Sequence, residues 1–246
     1  MFQFPQSVNG WLSIQEGELL YTLAQKNPLK GCIVELGSYH GKSTICLSQG
    51  TKAIQGKKVY TVDRFIGGED IGPEKNFYHH LIDNVRDFGL KDWVIAIKGD
   101  TAESAKNWKD PIRLLFIDAS HTYDNVRRDF DAWQKHLIPD GIVVFHDSVD
   151  RPGVHRVVRE VILSGRFGGV ATHRDPQSTG LTYLIRTLDR VGLFQRVRSL
   201  IIFECKSLPK IKGRILQSIK ERGEGDFWFR CAVRIRNVFE RGSVRA

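Results

Sequence analysis

Short apolar runs alternate with helical patterns along most of the chain. Six apolar runs that end in polar residues predict strands, at 32–36, 58–63, 94–100, 113–120, 141–148 and 180–187. Apolar residues at helical spacing predict helices between them, at 42–54, 78–89, 122–137 and 153–163. This alternation predicts an α/β fold with a doubly wound, mainly parallel sheet, in which ligands bind beyond the carboxyl ends of the strands.

A further helix is predicted in front of the first strand. Ser13 and Glu16 have the spacing of a capping box, in which each side chain accepts a hydrogen bond from the backbone of the other residue. Apolar residues then recur with helical period at positions 19, 20, 23 and 24. We therefore expect an amphipathic helix over about residues 13–25.

Composition and charge add a domain boundary. The chain has 246 residues, of which 41% are hydrophobic, and this is enough to bury a full core. Its net charge is +9, and residues 188–246 hold 14 Lys and Arg against 6 Asp and Glu, so they carry +8 of that charge. We therefore predict a nearly neutral domain at 1–187 and a basic, mainly helical C-terminal extension at 188–246.

The extension carries an amphipathic pattern. Its apolar positions are spaced for one helical face at 191, 194, 197, 200 and 201, and again at 227, 231, 235 and 238. Such a face is typical of packing on the protein's own core or on a second copy of the chain, as in a homo-oligomer. The basic side chains beside it also fit peripheral docking on an anionic membrane surface. No recognised nucleic-acid-binding module accompanies them, so nucleic acid is not an expected partner.

The cysteines and the first residues bear on the compartment. Cys32, Cys46, Cys205 and Cys231 show no Cys-x-x-Cys spacing, so neither a zinc site nor a disulfide framework is predicted. The first residues lack a basic region followed by an apolar run, and no apolar stretch approaches the roughly 20 residues that cross a bilayer. We expect a cytoplasmic protein, membrane-peripheral if the extension docks on lipid.

The segment from Glu35 to Thr44 ends in Gly-Lys-Ser-Thr, the last four residues of a phosphate-binding P-loop. A P-loop has four residues between its glycines, whereas Gly37 and Gly41 enclose three. The apolar run ending at Asp118 is similar to the metal-holding second motif of P-loop NTPases, so that alternative stays open. Against it, Glu35 would place a carboxylate where a polyphosphate has to bind. A carboxylate suits a ligand with an ammonium and a sulfonium group.

Two further acids follow the second and third predicted strands. Asp63 is placed where a carboxylate accepts hydrogen bonds from ribose 2′- and 3′-hydroxyls. Asp100 is placed to meet the adenine end of a nucleoside. For each acid taken singly, the alternative is a helix N-cap, which Asp forms often. Acids at three successive strand ends, Glu35, Asp63 and Asp100, together favour a nucleoside ligand.

Five segments carry a more specific resemblance: IVELGSYHGKST, VYTVDRF, IKGDTAES, LLFIDASHTYDNVRRDFDAW and LIPDGIVVFHDSVDRPGVHRVVREV. They resemble the successive motifs of class I S-adenosylmethionine-dependent methyltransferases, in the bacterial subfamily similar to macrolide-sugar O-methyltransferases, over about residues 9–187. The resemblance implies a seven-stranded, Rossmann-like sheet whose last strand, 180–187, is antiparallel. It also implies S-adenosylmethionine as cofactor, lined by Glu35, Gly37, Ser38, Gly41, Asp63, Asp100 and Asp118.

Asp118 and Asp147 follow two strands that are neighbours in a doubly wound sheet. We expect their carboxylates to converge on a Mg²⁺ ion, with His146 as a further ligand. His121 could take the proton of a hydroxyl bound there, because imidazole titrates near neutral pH. Related metal-dependent members often carry a carboxylate where this chain has His146, and Mg²⁺ prefers oxygen ligands. This difference leaves open a transfer without a metal, or a third ligand supplied by Ser148 or water. The alternatives are a local backbone contact for His121 and a helix cap for Asp147.

These features lead to one functional hypothesis and two alternatives. We expect an enzyme that transfers a methyl group from S-adenosylmethionine to a hydroxyl of a sugar or another small molecule, with Mg²⁺ assisting. The acceptor pocket is expected to involve the loop 65–80 and the extension, since such loops vary in this fold. The alternatives are a P-loop-like NTPase, and a non-catalytic nucleotide-binding or scaffold protein that acts through its basic extension.

Overall fold

The computed structural model describes residues 1–26, 31–67 and 77–207. One seven-stranded sheet forms its centre, in the spatial order β3-β2-β1-β4-β5-β7-β6. Strands β1 to β5 are parallel, and β7 runs antiparallel to both of its neighbours. The strands are β1 Cys32–Leu36, β2 Val59–Asp63, β3 Val94–Lys98, β4 Ile112–Ile117, β5 Leu137–Phe145, β6 Phe167–His173 and β7 Leu181–Arg186. The predicted fold class and the antiparallel last strand are confirmed.

Helices cover both faces of the sheet. They are α1 Ile14–Ala24, α2 Lys42–Ala53, α3 Phe77–Asp87, α4 Thr101–Ser104, α5 Tyr123–Trp133, α6 Pro152–Ser164 and α7 Leu193–Ser207. Alternate strand residues serve the two faces: Ile33 and Leu114 join the core formed with α1 and α2, whereas Val34 and Leu115 join the core formed with α5 and α6. This double burial explains why the parallel strands read as continuous apolar runs.

The strand β6 was absent from the predicted runs. It contains Gly168 and Gly169, lies at the edge of the sheet and buries only its first residue, Phe167. A strand that contacts the core on so little of its length needs no apolar run, so periodicity does not reveal it. The strand β5 begins at Leu137, before the predicted start at 141. The prediction missed its first part because the exposed residues Pro139 and Asp140 interrupt the apolar run.

The capping box of α1 is present as predicted. The Ser13 hydroxyl accepts a hydrogen bond from the Glu16 backbone, and the Glu16 carboxylate accepts one from the Ser13 backbone at 3.0 Å. Glu16 is nevertheless buried, although a capping glutamate is commonly exposed. Its burial brings a carboxylate from the start of the chain into the interior of the domain.

The helix α7 belongs to the predicted extension and packs on β6 and α6. Its anchor is Phe203, which is fully buried, whereas Phe194 of the predicted apolar face is 82% exposed. Glu204 adds an ion pair to Arg159 of α6 at 2.8 Å. The second predicted amphipathic segment, with the rest of 208–246, lies outside the described residues. The boundary at residue 187 therefore stays a prediction.

None of the helices in the described part of the chain has the length and hydropathy of a membrane span. The predicted acceptor loop 65–80 is described only at 65–67 and 77–80.

Candidate functional site

A cavity of about 560 Å³ opens at the carboxyl ends of the parallel strands. This volume lies within the range of small-molecule binding pockets. The structure brings most of the predicted site residues together around it, namely Gly37, Ser38, Asp63, Asp100, Asp118, His121, His146 and Asp147. The predicted cofactor residues Glu35 and Gly41 do not line this cavity.

The loop after β1 approaches the end of β4 very closely at Gly37. Gly37 has a φ of +84°, and a Cβ atom there would lie 2.5 Å from the carbonyl oxygen of Asp118. Only glycine combines that backbone conformation with that approach. Gly37 therefore lets two neighbouring strand ends form one wall of the cavity.

Asp63 holds the same loop from the other side. One of its carboxylate oxygens accepts hydrogen bonds from the backbone N–H groups of Ser38 and Tyr39, at 2.9 and 3.3 Å. The other accepts one from the N–H of Phe65 at 2.8 Å. A carboxylate oxygen accepts about two hydrogen bonds, so Oδ1, which among the described residues accepts only from Phe65, keeps room for one more. Asp63 can therefore order the loop and still receive a hydroxyl of a ligand in the cavity.

Asp100 forms a helix N-cap, the alternative given for it in the sequence analysis. It is the N-cap of α4, and its Oδ1 accepts hydrogen bonds from the backbone of Ala102 and Glu103 at 3.1 Å each. Arg128 also donates to its Oδ2 at 3.0 Å. Asp100 lines the cavity as well, and its contact with adenine stays a prediction.

Glu35 lies beneath the cavity, with no exposed surface. Its two oxygens accept hydrogen bonds from the hydroxyls of Ser43 and Thr44, at 2.6 and 2.5 Å. Burial raises the pKa of this carboxyl to about 7, and those hydroxyls oppose the shift. Glu35 therefore joins β1 to α2, and the structure does not place it where it would meet the ammonium group of a ligand.

The Gly-Lys-Ser-Thr segment is also used differently from a P-loop. The Lys42 ammonium donates to the carbonyl of Gly10 at 3.1 Å, and the hydroxyls of Ser43 and Thr44 donate to Glu35. In a P-loop the lysine reaches the phosphates and the hydroxyl binds the metal ion. Gly41 begins α2 with a φ of +91°, where a Cβ atom would lie 2.6 Å from Cδ1 of Leu81. The segment is a helix start rather than a phosphate cradle.

Two non-glycine residues of the cavity wall have a left-handed backbone conformation. Tyr39 has a φ of +49° and Asp147 has a φ of +56°. Such residues cost about 1–3 kcal/mol each, persist where the surroundings hold them, and cluster at functional sites. Asp147 is held by the imidazoles that surround it.

His121 and Asp147 form the shortest polar contact of the wall. Nε2 of His121 lies 2.5 Å from Oδ2 of Asp147, and the histidine is partly exposed to the cavity whereas the aspartate is buried. Burial alone would raise the pKa of Asp147, but hydrogen bonds from His121 and His146 hold it well below its usual range. The side chain of Asp147 does not cap α6, whose N-cap is Arg151. The pair resembles a base and its orienting carboxylate.

Gly153, in the first turn of α6, sets the position of the His121 backbone. A Cβ atom at Gly153 would overlap the carbonyl oxygen of His121 and the backbone nitrogen of Tyr123. Only a residue without a side chain lets α6 pack this closely on the loop that carries His121. The sequence analysis did not identify this contact, because Gly153 reads only as a helix start after Pro152.

His146 lies behind this pair and is 3% exposed. Its Nδ1 is 3.2 Å from Asp118 Oδ1 and 3.6 Å from Asp147 Oδ2, and its Nε2 is 3.6 Å from Glu16 Oε2. Burial lowers the pKa of His146, but the three carboxylates outweigh it and raise the pKa well above its usual value. Both ring nitrogens therefore face carboxylates of the protein.

Glu16 and the β6–β7 turn complete this buried cluster. The hydroxyl of Ser178 donates to Glu16 Oε1, and Ser13 donates to Asp175 at 2.6 Å. Burial alone would raise the pKa of Glu16, but the nearby His146 ring and hydrogen bonds from Ser178 and the Ser13 backbone keep it lowered. The sequence analysis had identified Glu16 only as a helix cap. No local pattern signals a contact that joins α1 to a turn near residue 178.

Within the described residues, one group of side chains has ligand atoms close enough for a metal ion. It consists of Asp118, His121 and Asp147, whose ligand atoms lie within 4.8 Å of one another. His146, which was predicted as a ligand, is not part of that group. The ring nitrogens of His146 are directed at carboxylates, and metal ligation by His146 stays a prediction.

The rim of the cavity is formed by residues 9–12, which the sequence analysis had not considered. Trp11 is 66% exposed, and its ring centroid lies 5.4 Å from that of Tyr39. The hydrogen bond from Lys42 to Gly10 fixes this segment beside α2. An exposed indole beside the cavity offers a flat apolar surface to a ligand.

Part of the chain is similar in sequence to known proteins. Residues 34–148 match a family model described as a methyltransferase domain. The chain is similar to an uncharacterised protein, y4gI, of Sinorhizobium fredii, with 29% identity over 119 residues that make up 47% of this chain and 13% of that protein. An uncharacterised protein of Acanthamoeba polyphaga mimivirus is 25% identical over 54% of this chain and 62% of its own length. The chain thus spans less than two thirds of these curated relatives.

Solved structures show the same fold. An O-methyltransferase from Bacillus cereus in complex with SAH superposes with a TM-score of 0.57 at 21% identity, over 74% of this chain and 85% of that one. The calicheamicin-biosynthesis enzyme CalS11, described as a TDP-rhamnose 3′-O-methyltransferase, superposes with a TM-score of 0.51 at 18% identity, over 72% of this chain and 82% of that one. At these identities the likeness establishes the architecture.

Proposed function

We propose that this chain, which carries a methyltransferase domain of the class I, S-adenosylmethionine-dependent fold over residues 34–148, transfers a methyl group from S-adenosylmethionine to a hydroxyl oxygen of a sugar or another small molecule. One observation carries the proposal. A single cavity joins the loop held by Gly37 and Asp63 to the His121–Asp147 pair, so that a nucleoside-binding wall and a base face the same space.

The residues of the first wall fit the cofactor. The backbone of Gly37 and Ser38 and the carboxylate of Asp63 offer acceptors for hydroxyl and ammonium groups in a cavity of adequate volume. When bound, S-adenosylmethionine supplies an electrophilic methyl group on its sulfonium. The wall itself contributes orientation and the exclusion of water, which are the main requirements of an in-line displacement.

His121 is assigned as the general base. Its Nε2 contacts Asp147, and we assign the imidazole of His121 as the group that accepts the proton of the acceptor hydroxyl. The imidazolium formed in this way is stabilised by the Asp147 carboxylate 2.5 Å away. The fixed ring orientation follows from the same contact and from the close packing of Gly153 on the His121 backbone.

A sugar acceptor is supported by two observations. The exposed ring of Trp11 at the rim suits the apolar face of a sugar, and the polar wall suits its hydroxyls. CalS11, one of the structures that share the fold, is described as acting on TDP-rhamnose. Location in the cytoplasm, oligomerisation and docking of the extension on a membrane stay predictions.

The expected Mg²⁺ does not fit the residues present. The converging group offers one imidazole and two carboxylates, whereas Mg²⁺ prefers an all-oxygen set. Both carboxylates already accept contacts from imidazole nitrogens, at 2.5 and 3.2 Å. We therefore assign no step of the transfer to this metal.

Calorimetric titration tests the proposed function. The full chain is titrated with S-adenosylhomocysteine and, separately, with ATP, and we expect saturable binding of the first only. Turnover is then measured with S-adenosylmethionine and a set of nucleotide-linked and free sugars. Selective binding of ATP would favour the NTPase alternative, and binding of neither ligand would favour a non-catalytic protein.

A further inference from the structure

We propose that His146, held between Asp118, Asp147 and Glu16, occupies the place of the expected divalent metal and aligns the two aspartates for metal-independent transfer. This inference rests on the proposed methyl transfer. It assigns to Glu16, on the first helix, the role of a positioning residue for the site.

The first step is geometric. Nδ1 of His146 lies 3.2 Å from Asp118 Oδ1 and 3.6 Å from Asp147 Oδ2, so one ring nitrogen stands between the two carboxylates. These two oxygens are therefore engaged by the ring, and a divalent ion would be left with the other oxygen of each carboxylate. The position is also closed from behind, because His146 is 3% exposed and its Nε2 faces Glu16.

The second step concerns charge. Three carboxylates, Glu16, Asp118 and Asp147, surround one buried ring, and carboxylates without a counter-ion in such a place cost several kcal/mol each. The ring of His146 offers its nitrogens to these oxygens from within the protein, with Nδ1 3.2 Å from Asp118 Oδ1 and Nε2 3.6 Å from Glu16 Oε2. The group left for a divalent ion is Asp118, His121 and Asp147, a set that includes a nitrogen, whereas Mg²⁺ prefers oxygen ligands.

The third step is the chain of contacts to His121. Asp147 faces His146 with the same oxygen, Oδ2, that accepts from Nε2 of His121. The position of Asp147 therefore depends on the ring behind it as well as on the base in front. Asp147 also has the strained φ of +56°, which needs such support from both sides.

Glu16 fixes the far side of the ring. Its carboxylate faces Nε2 of His146 and is itself held by the backbone of Ser13 and the hydroxyl of Ser178. These donors come from the start of α1 and from the β6–β7 turn, so the ring is clamped by two segments that contain no base. Glu16 therefore does more than cap its own helix, because it also holds the ring of His146 in position.

Binding of Mn²⁺ and Mg²⁺ to the full chain tests the inference without any turnover. Electron paramagnetic resonance with Mn²⁺, and calorimetry with Mg²⁺, are expected to detect no saturable site up to millimolar metal. His146→Asp removes the imidazole and adds an oxygen ligand, so this variant is expected to gain Mn²⁺ binding. Saturable Mn²⁺ binding by the wild-type chain that Asp118→Asn abolishes would overturn the inference, even if the His146 variant fails to fold.

Kinetics test the positioning role. Glu16→Gln is expected to lower kcat about tenfold or more while S-adenosylhomocysteine affinity changes little, and Glu18→Gln, an exposed change on the same helix, is the matched control. Wild-type turnover is expected to be the same with and without a chelator. Loss of turnover in chelator, or an unchanged kcat in folded Glu16→Gln, would contradict the inference. Absence of turnover with every acceptor would instead contradict the proposed function and leave the metal-binding result decisive.

Discussion

Asp147 and His121 meet at 2.5 Å although they come from different strand ends, Asp147 after β5 and His121 in the loop between β4 and α5. Neighbouring parallel strands end at the same edge of the sheet, and this is what brings the two loops together. The contact gives the imidazole a fixed orientation toward the cavity. The two residues have different assigned roles: His121 accepts the proton, and Asp147 orients His121. Mutation of each residue therefore tests a different role.

His121→Ala is expected to lower kcat by about 10²–10⁴-fold, because the general base is lost, while the affinity for S-adenosylhomocysteine stays nearly unchanged. Steady-state kinetics and calorimetry measure the two quantities. The loss is expected to be smallest at high pH, where hydroxide replaces the base.

Asp147→Asn is the matched control for His121→Ala, because asparagine tolerates the left-handed conformation at this position. It is expected to lower kcat as well, since a neutral amide stabilises the imidazolium less. A folded His121→Ala protein with wild-type kcat would remove His121 from the mechanism.

Glu35→Gln is expected to stabilise the protein in a pH-dependent way. Folding raises the pKa of Glu35 from its ordinary value of 4.5 to about 7, so the folded chain holds this proton more tightly than the unfolded chain. Relative to the variant, the wild type is fully stable below pH 4.5 and loses stability as the pH rises through about 7. The difference in free energy of unfolding approaches at most about 3 kcal/mol above that pH.

Chemical denaturation of both proteins between pH 4 and 8 measures this difference, with the exposed Glu18→Gln as control. A difference that does not vary with pH would mean that Glu35 titrates normally. The same variant tests whether Glu35 contacts the cofactor. Because Glu35 lies beneath the cavity, the affinity of Glu35→Gln for S-adenosylhomocysteine is expected to stay near that of the wild type.

Asp63→Ala is expected to weaken cofactor binding by about 1–3 kcal/mol, because the carboxylate both receives ligand hydroxyls and holds the N–H groups of Ser38 and Phe65. Calorimetric titration with S-adenosylhomocysteine measures the change. Asp63→Asn keeps an acceptor of the same shape and is expected to lose less. Equal affinity in wild type and folded Asp63→Ala would exclude the assigned role.

Trp11→Ala is expected to raise the KM for the acceptor by about tenfold with little change in kcat, because we propose that the indole contacts the acceptor and not the reacting atoms. Trp11→Phe keeps an aromatic surface, so its KM for the acceptor is expected to lie between those of the wild type and Trp11→Ala. The affinity for S-adenosylhomocysteine serves as the internal reference. A KM that does not respond to either change would place the acceptor elsewhere.

Phe203→Ala is expected to lower the free energy of unfolding by about 3–5 kcal/mol, since a fully buried aromatic ring is removed from the contact of α7 with the domain. Phe194→Ala, on the same helix but 82% exposed, is the control and is expected to change it by less than about 0.5 kcal/mol. Thermal or urea unfolding measures both. Equal effects would mean that α7 does not pack as described.

The sequence predicted those parts of the fold that follow from burial on both faces. The bounds of β1 are those of its apolar run, 32–36, because every residue of that strand is buried. The edge strand β6 escaped prediction because burial selects almost none of its residues. Periodicity thus reports on the interior of the sheet and loses its information at the edge.

The candidate site divides in the same manner. Asp63, Asp118 and Asp147 were identified because a polar residue that follows a buried strand is visible in the sequence. Ligands in parallel sheets bind beyond the carboxyl ends of the strands, which is where such residues lie. The third carboxylate around His146, that of Glu16, was not visible in this way. Glu16 reads as a helix cap, and its contact with His146 depends on how α1 packs, a tertiary relationship without a local pattern.

The bond between Ser178 and Glu16 joins positions 162 residues apart. During synthesis the first helix leaves the ribosome long before the hairpin of β6 and β7, and domains fold as their chain emerges. A nascent chain that ends before residue 178 therefore has a carboxylate on α1 without its donor and a sheet without the turn that closes over it. The clamp around His146 is among the last parts of the domain to assemble, and the protein becomes competent for chemistry only when nearly all of the domain has been made.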